Sequence, residues 1–296
     1  MPYCYEFAAP AGSFGVRSDV DVAGPLKLYV GAWPWRAVAD VASPDLEILR
    51  RPDGSMTLRL TAPPQIERST GSVIESASGL LDMLMRRCLE HDPSYAGLHA
   101  GSVLIDGKLV VFPGDSHAGK STLALQLVMR GHVMGGDDRL LVGPLVGDEA
   151  APIEGVLMGL NARVRYPLHA RAGAAFARFV DARRLPAEAI SPSIGFIGFR
   201  AGELAPFGRR APLSAIVVPV RREGGGVGLE RAARSEIMRL LLEQMHAPHF
   251  SAAALTAVAR AAADAVPGFV LRFDDSAQAA ARIEALARSG FGDPAG

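Results

Sequence analysis

The sequence predicts an α/β fold with a small β-rich module at its N-terminus, and three observations lead there. The run Gly114–Thr122, GDSHAGKST, meets the pattern G-x-x-x-x-G-K-[ST]. An apolar strand-like run precedes it and a helix-like run follows it, the context a phosphate-binding loop needs. Residues 1–70 instead mix short β-type runs with Pro, Gly and Asp punctuation. The expected division is a β-rich module over 1–70 and a phosphate-loop domain over 71–296.

Taken in order, Leu26–Val30 and Met56–Leu60 read as strands, with Pro52-Asp53-Gly54 as a hairpin turn. From Gly71 to Glu90 the period changes: Ile74, Ala77, Leu81, Leu84 and Cys88 recur at helical spacing. Ser102–Ile105 and Leu109–Phe112 flank Asp106-Gly107, a tight-turn pair, and predict a hairpin whose second strand feeds Gly114. Ser121–Arg130 reads as a helix stopped by Gly131. His132–Met134 is a short strand leading into Gly-Gly-Asp-Asp, followed by a strand over Leu140–Val142. Leu157–Val164 reads as a strand, and Ala170–Arg178 and Arg184–Ile190 as short helices. Ala215–Val220 is a buried strand, Gly224-Gly225-Gly226 a turn, and Ser235–Gln244 and Ala252–Ala265 helices. Gly268–Phe273 closes as a strand and Ser276–Ala287 as a helix.

Composition narrows the partners. Lysine and arginine number 31 and so do aspartate and glutamate, so no global positive field draws in nucleic acid or an anionic membrane. Two cysteines, Cys4 and Cys88, stand far apart without a metal-spaced neighbour, which suggests free thiols in a reducing compartment. With no basic-then-apolar start and no long uncharged apolar run, the expected location is cytoplasmic.

The loop carries the chemistry. Gly114 and Gly119 allow positive φ, so successive N–H groups of Asp115, Ser116, His117 and Ala118 can curl around phosphates at the N-terminus of the following helix. Lys120 supplies a point charge for β- and γ-phosphates, the Ser121 hydroxyl can ligate Mg²⁺, and Thr122 completes the nucleotide-binding loop. The cofactors expected are ATP and Mg²⁺. Asp137 and Asp138 follow Lys120 by about a helix and a returning strand, so their strand end is expected beside the loop. Two such carboxylates could supply a base and a metal or histidine partner; taken alone, without the loop, they read as a solvated turn. Arg139 could reach phosphate or pair with a carboxylate. Arg163 and Arg165 alternate along a strand and could hold a phosphate or an acidic acceptor, or face solvent.

Three blocks in fixed order, LHAGSVLIDGKLVVF with its His99, GDSHAGKST and LVMRGHVMGGDDRLLV, resemble the HPr kinase/phosphorylase family and its short relatives. Looser similarity runs from about residue 72 to 290. The resemblance implies a kinase core of the HPr kinase/PEP carboxykinase type. It implies that Asp137 takes the acceptor's proton, that His99 tunes its charge, and that Asp138 contacts the metal. It implies a phosphotransferase acting on a serine of a small protein or peptide, and a homo-oligomer, since the full-length family forms hexamers. The Glu-x-Arg-Gly segment of the full-length enzymes is missing, Glu154 being the nearest candidate for its glutamate, so phosphorylase activity is not expected. Two alternatives stay open: a nucleotide-binding regulatory module without transfer, and a kinase of a small metabolite such as free serine. The chain has neither the second acidic segment of helicases and transport ATPases nor the Asn-Lys-x-Asp of GTPases.

Overall fold

The computed structural model describes residues 1–10, 12–145, 152–186 and 193–292. The first part holds β1 (Tyr3–Ala8), β2 (Ser13–Ser18), α1 (Ala23–Tyr29), β3 (Trp35–Val38), β4 (Leu46–Arg50), β5 (Met56–Leu60), β6 (Glu67–Thr70) and α2 (Val73–His91). Its strands form one six-stranded sheet in the order β3-β1-β2-β4-β5-β6. Alternate residues of β2, β4 and β5, among them Phe14, Val16, Ile48 and Leu58, are buried and meet Ala77, Leu81, Leu84 and Cys88 of α2. A Cβ at Gly79 would stand 3.1 Å from Leu58 Cδ2, so glycine lets the helix lie close on the sheet. The same apolar cluster takes in Met158, Leu160 and Phe196 from later in the chain.

The hairpin at Pro52-Asp53-Gly54 is present, closed by Arg51 N–H donating to Ser55 O at 2.8 Å. The expected strand over Leu26–Val30 is instead α1. Asp21, one residue ahead of the N-cap Val22, accepts the N–H of Ala23 at 2.8 Å, and Pro25 falls in the first turn, where it costs no hydrogen bond. A five-residue apolar run suits one buried turn of helix as well as a strand.

The second part begins with β7 (Ala96–Leu98), β8 (Ala100–Ile105), β9 (Lys108–Pro113), α3 (Lys120–Met129), β10 (Val133–Gly136), β11 (Leu140–Gly143), β12 (Glu154–Leu157) and β13 (Ala162–Arg165). After a 3-10 turn at Ala170–Ala172 come α4 (Ala174–Asp181), β14 (Ile194–Ile197), β15 (Arg210–Arg221), β16 (Gly228–Arg231) and α5 (Arg234–Gln244). β17 (Met245–His246), α6 (Ala252–Ala265), β18 (Gly268–Phe273) and α7 (Ser276–Arg288) complete it. A ten-stranded sheet runs β10-β8-β9-β15-β12-β11-β7-β17, with β18 on β15 and β16 on β18.

This sheet is covered on both faces. Val103, Val110, Phe112, Ala215 and Val217 face Leu123 and Leu127 of α3 and Ile283 of α7. Their alternating neighbours Leu104, Leu109, Val111 and Ile216 face Ile237 and Leu241 of α5 and Val258 of α6. The β8–β9 turn holds Asp106 and Gly107 at φ +50° and +79°, as its two-residue hairpin requires.

Three other expectations change. Leu157–Val164 is two strands, broken where Gly159, at φ +62°, turns its carbonyl to accept Gly31 and Ala32 N–H at 3.1 and 2.7 Å. A Cβ there would lie 2.8 Å from the Ala32 backbone. The Ala170–Arg178 helix is interrupted at Gly173, φ +86°. Of Arg184–Ile190, residues 187–190 lie outside the described residues, and Leu185 pairs as extended backbone, its N–H donating to Phe196 O at 2.8 Å.

Candidate phosphate-transfer site

Topology gathers the site. β9 and β10 are both antiparallel to β8, which lies between them, so both end at the same sheet edge. β15 and β18 run parallel to β9 and end there too. Side chains at such strand ends converge on the crevice where open α/β sheets bind ligands. The loop 114–119 leaves β9 at this edge and enters α3 through Gly119, at φ +96°. Ser102 of β8 donates to Gly136 O at 3.2 Å and fills the space beside Gly135, where a Cβ would stand 2.5 Å from Ser102 Oγ. Gly135 thus lets β10 approach β8 closely, and Gly136, at φ +147°, leads the chain into Asp137 beside Ser121 of α3.

The central contacts are few and specific. Ser121 Oγ donates to Asp137, lying 2.9 and 3.0 Å from its two carboxylate oxygens, and Arg163 N–H donates to Asp137 Oδ2 at 2.9 Å. The Arg163 guanidinium pairs with Asp138, and His99 Nε2 lies 3.3 Å from Asp138 Oδ1. Lys120 Nζ donates to Gly114 O at 2.7 Å and Asp115 O at 3.1 Å. Arg165 reaches the loop as well, donating to Ser116 Oγ at 3.0 Å and His117 Nε2 at 2.5 Å. These groups border a cavity of about 350 Å³, whose other wall is apolar and includes Leu168, Phe176 and Ile194.

The paired aspartates are pushed in opposite directions. Burial, then the neighbouring Asp138 charge, raises Asp137 to about 6, against the N–H and charge of Arg163 and the Ser121 hydroxyl. At Asp138 burial also acts upward, but the His99 hydrogen bond and the charges of Arg163, His99 and Lys120 outweigh it and hold the group well below the carboxylate range. Burial lowers Lys120, opposed by Asp138, Asp137 and Asp115.

The structure thus brings together Asp115, Ser116, His117, Gly119, Lys120, Ser121, Thr122, His99, Asp137, Asp138, Arg163 and Arg165 around one cavity. Arg139 departs from its phosphate reading: its Nε donates to Asp82 Oδ1 at 2.6 Å and its Nη2 to Ser78 Oγ, both on α2. The chain turns at Asp138, φ +62°, and sends the next side chain away from the loop. The carboxylate beside Ser121 belongs to Asp137, whereas Asp138, expected at the metal, is engaged by Arg163 and His99. Glu154 stands away from the cavity, 3.9 Å from Arg210.

No family model and no curated protein sequence matches the chain. Among solved structures it is similar to the Hpr(Ser) kinase/phosphatase from Coxiella burnetii, with a TM-score of 0.34 and 16% identity. The match covers 65% of this chain and 94% of that one. That likeness is distant and assigns no residue roles.

Sequence reasoning missed Arg221. It ends β15 at the loop's edge of the sheet, and its Nη2 is 3.5 Å from where a Gly119 Cβ would be. Among the described residues its Nε has no hydrogen-bond acceptor and the guanidinium has no ion-pair partner, and burial lowers its pKa, leaving a cation facing the cavity. The signal was in VVPVRRE, where a buried apolar run ends in arginine.

Proposed function

We propose that this protein is a kinase that transfers the γ-phosphate of ATP to a hydroxyl, with serine on a small protein or peptide as the acceptor. The observation that carries the reading is Ser121 of the glycine loop, bonded to Asp137, in a cavity that also presents Lys120 and Arg221. Triphosphate chemistry asks for this combination: cations for the charge on the phosphates, a hydroxyl for the metal and a carboxylate for the proton. Mg²⁺ suits the all-oxygen set of Ser121 and the aspartates, and with one carboxylate and phosphate oxygens it would be held as Mg²⁺ usually is. Bound there, it would neutralise charge on the transferring group.

In this reading the acceptor oxygen attacks the γ-phosphorus in line, the bond to the β-phosphate oxygen breaks, and ADP leaves. Asp137 is the proton acceptor, because a carboxyl raised to about 6 is ionised at neutral pH and basic enough to take a proton. A second reading, with His99 and Asp138 moving the proton, is favoured by their position on the wall away from the loop. The test incubates the protein with Mg²⁺ and γ-labelled ATP, alone and with Ser-bearing peptides, carrier proteins and free serine. Label on a serine hydroxyl supports the kinase. Tight ATP binding without transfer to any of them would refute it and leave a nucleotide-binding module. His99→Gln separates the two readings of the base: transfer that survives it keeps Asp137.

A further inference from the structure

A second cavity, of about 440 Å³, adjoins the first, and the two share His99, Asp138 and Arg163 as a common wall. Its remaining walls come from β6, α2, β7, the end of α5, β17 and Arg139; of these, Gln244 at the end of α5 also donates to Asp115 of the phosphate loop at 3.4 Å. Met85, Leu89 and Leu98 give it an apolar side. On the other side two guanidinium groups converge on one carboxylate. Arg139 Nε donates to Asp82 Oδ1 at 2.6 Å, and Arg68 Nη1 to Asp82 Oδ2 at 2.9 Å.

The charges there do not balance. Arg163 and Asp138 neutralise each other, but among the described residues Arg68 and Arg139 share Asp82 as their one acidic partner. Arg139 is mostly buried, with its side chain 14% exposed, while Asp82 is 41% exposed and well solvated. Each guanidinium carries five N–H donors in a fixed fork suited to carboxylates, and one carboxylate cannot fill two forks. The surplus positive charge faces the cavity that ends at His99 and Asp138.

We propose that this second cavity binds the phosphoacceptor, and that Arg68 and Arg139 take a carboxylate carried by that acceptor. The proposal rests on the kinase reading. The acceptor's hydroxyl reaches past the shared wall into the first cavity, its oxygen bonds to the γ-phosphorus of ATP, ADP departs with the bridging oxygen, and the hydroxyl proton passes to Asp137, next to Asp138 in that cavity. The carboxylate can belong to a free hydroxy acid or to an acidic residue beside serine in a peptide.

The experiment compares L-serine with L-serinamide, and a Ser-Asp peptide with its Ser-Asn counterpart, by steady-state transfer and by calorimetric titration onto the ADP- and Mg²⁺-loaded protein. The acid of at least one pair is expected to bind and react on the order of tenfold better than its neutral partner. Arg139→Gln removes that preference and raises the acceptor KM on the order of tenfold, with the ATP KM unchanged. Arg68→Gln, on an edge strand and half exposed, does the same without threatening the fold. Asp82→Asn lowers the acceptor KM, an opposite effect that a merely structural role would not produce. Which pair responds tells free acid from peptide. Equal use of acid and neutral partners in both pairs, or no saturable binding of either acid, overturns the proposal. Binding that depends on Arg68 without any transfer sustains the cavity assignment and refutes the kinase reading instead.

Discussion

Asp137→Asn is expected to stabilise the free protein while abolishing transfer. The wild-type carboxyl is fully buried, and folding raises its pKa from 3.8 to about 6, a net figure that already includes Arg163, Ser121 and Asp138. Because the folded state holds the proton more tightly, the favourable contribution is complete below pH 3.8 and is lost as pH rises through 6. At about 1.4 kcal/mol per pH unit, ionising Asp137 costs about 3 kcal/mol at neutral pH. Asparagine keeps the shape: its oxygen can accept from Arg163 N–H and its amide can donate to Ser121 Oγ. The assay is thermal unfolding without nucleotide from pH 4 to 8. Asp137→Asn should unfold roughly 5 °C higher at pH 8, with the gap closing toward pH 4. A variant less stable than wild type at pH 8 would refute the reasoning, since ionised Asp137 would then be a net stabilising partner.

Three further outcomes follow from the loop. Lys120→Ala should lower ATP affinity roughly 10- to 100-fold, the worth of charge-assisted hydrogen bonds to phosphate, and lose transfer as well, both measurable by nucleotide titration and label transfer. Arg221→Met keeps the apolar stem and removes the cation, so unfolding without nucleotide should occur at no lower temperature while ATP affinity falls about tenfold; equal affinity would remove Arg221 from the site. Gly119→Ala places a methyl 3.1 Å from Phe273 Cζ at φ +96°, costing about 1–2 kcal/mol of strain, and should weaken ATP binding more than it lowers the unfolding temperature.

Much of the site was legible because its parts are local. The strand, loop and helix around Gly114–Thr122 carry their own signals: Asp-Gly for the hairpin, glycines for the loop, Gly131, at φ +99°, for the stop. The spacing from Lys120 to Asp137 implied a returning strand beside the loop, and the Ser121–Asp137 hydrogen bond bears out that proximity. Non-local features were not legible. Arg139 turns from the phosphate loop because Asp82, 57 residues earlier, stands opposite it on α2. The β16 strand was unseen because Gly228–Arg231 is largely exposed and gains its order by pairing with β18. Leu26–Val30 failed because a short apolar run has no period of its own.

The two aspartates are neighbours in sequence and opposites in environment, and one residue divides them. Arg163 gives its backbone N–H to Asp137 and its guanidinium to Asp138. The positive φ at Asp138 makes this geometry available, since it turns consecutive side chains to different sides of the strand end. A carboxyl held near 6 next to one held far lower gives two separable roles, one for a proton and one for fixed negative charge. No substitution at 163 except proline can remove the N–H donated to Asp137, so side-chain changes there break the pairing with Asp138 and cost Asp137 only the nearby charge, not its hydrogen bond. β13 accordingly does more than complete the wall. Its pairing with β14 outside the main sheet leaves Arg163 and Arg165 on one face, the first set against the aspartates and the second against the loop.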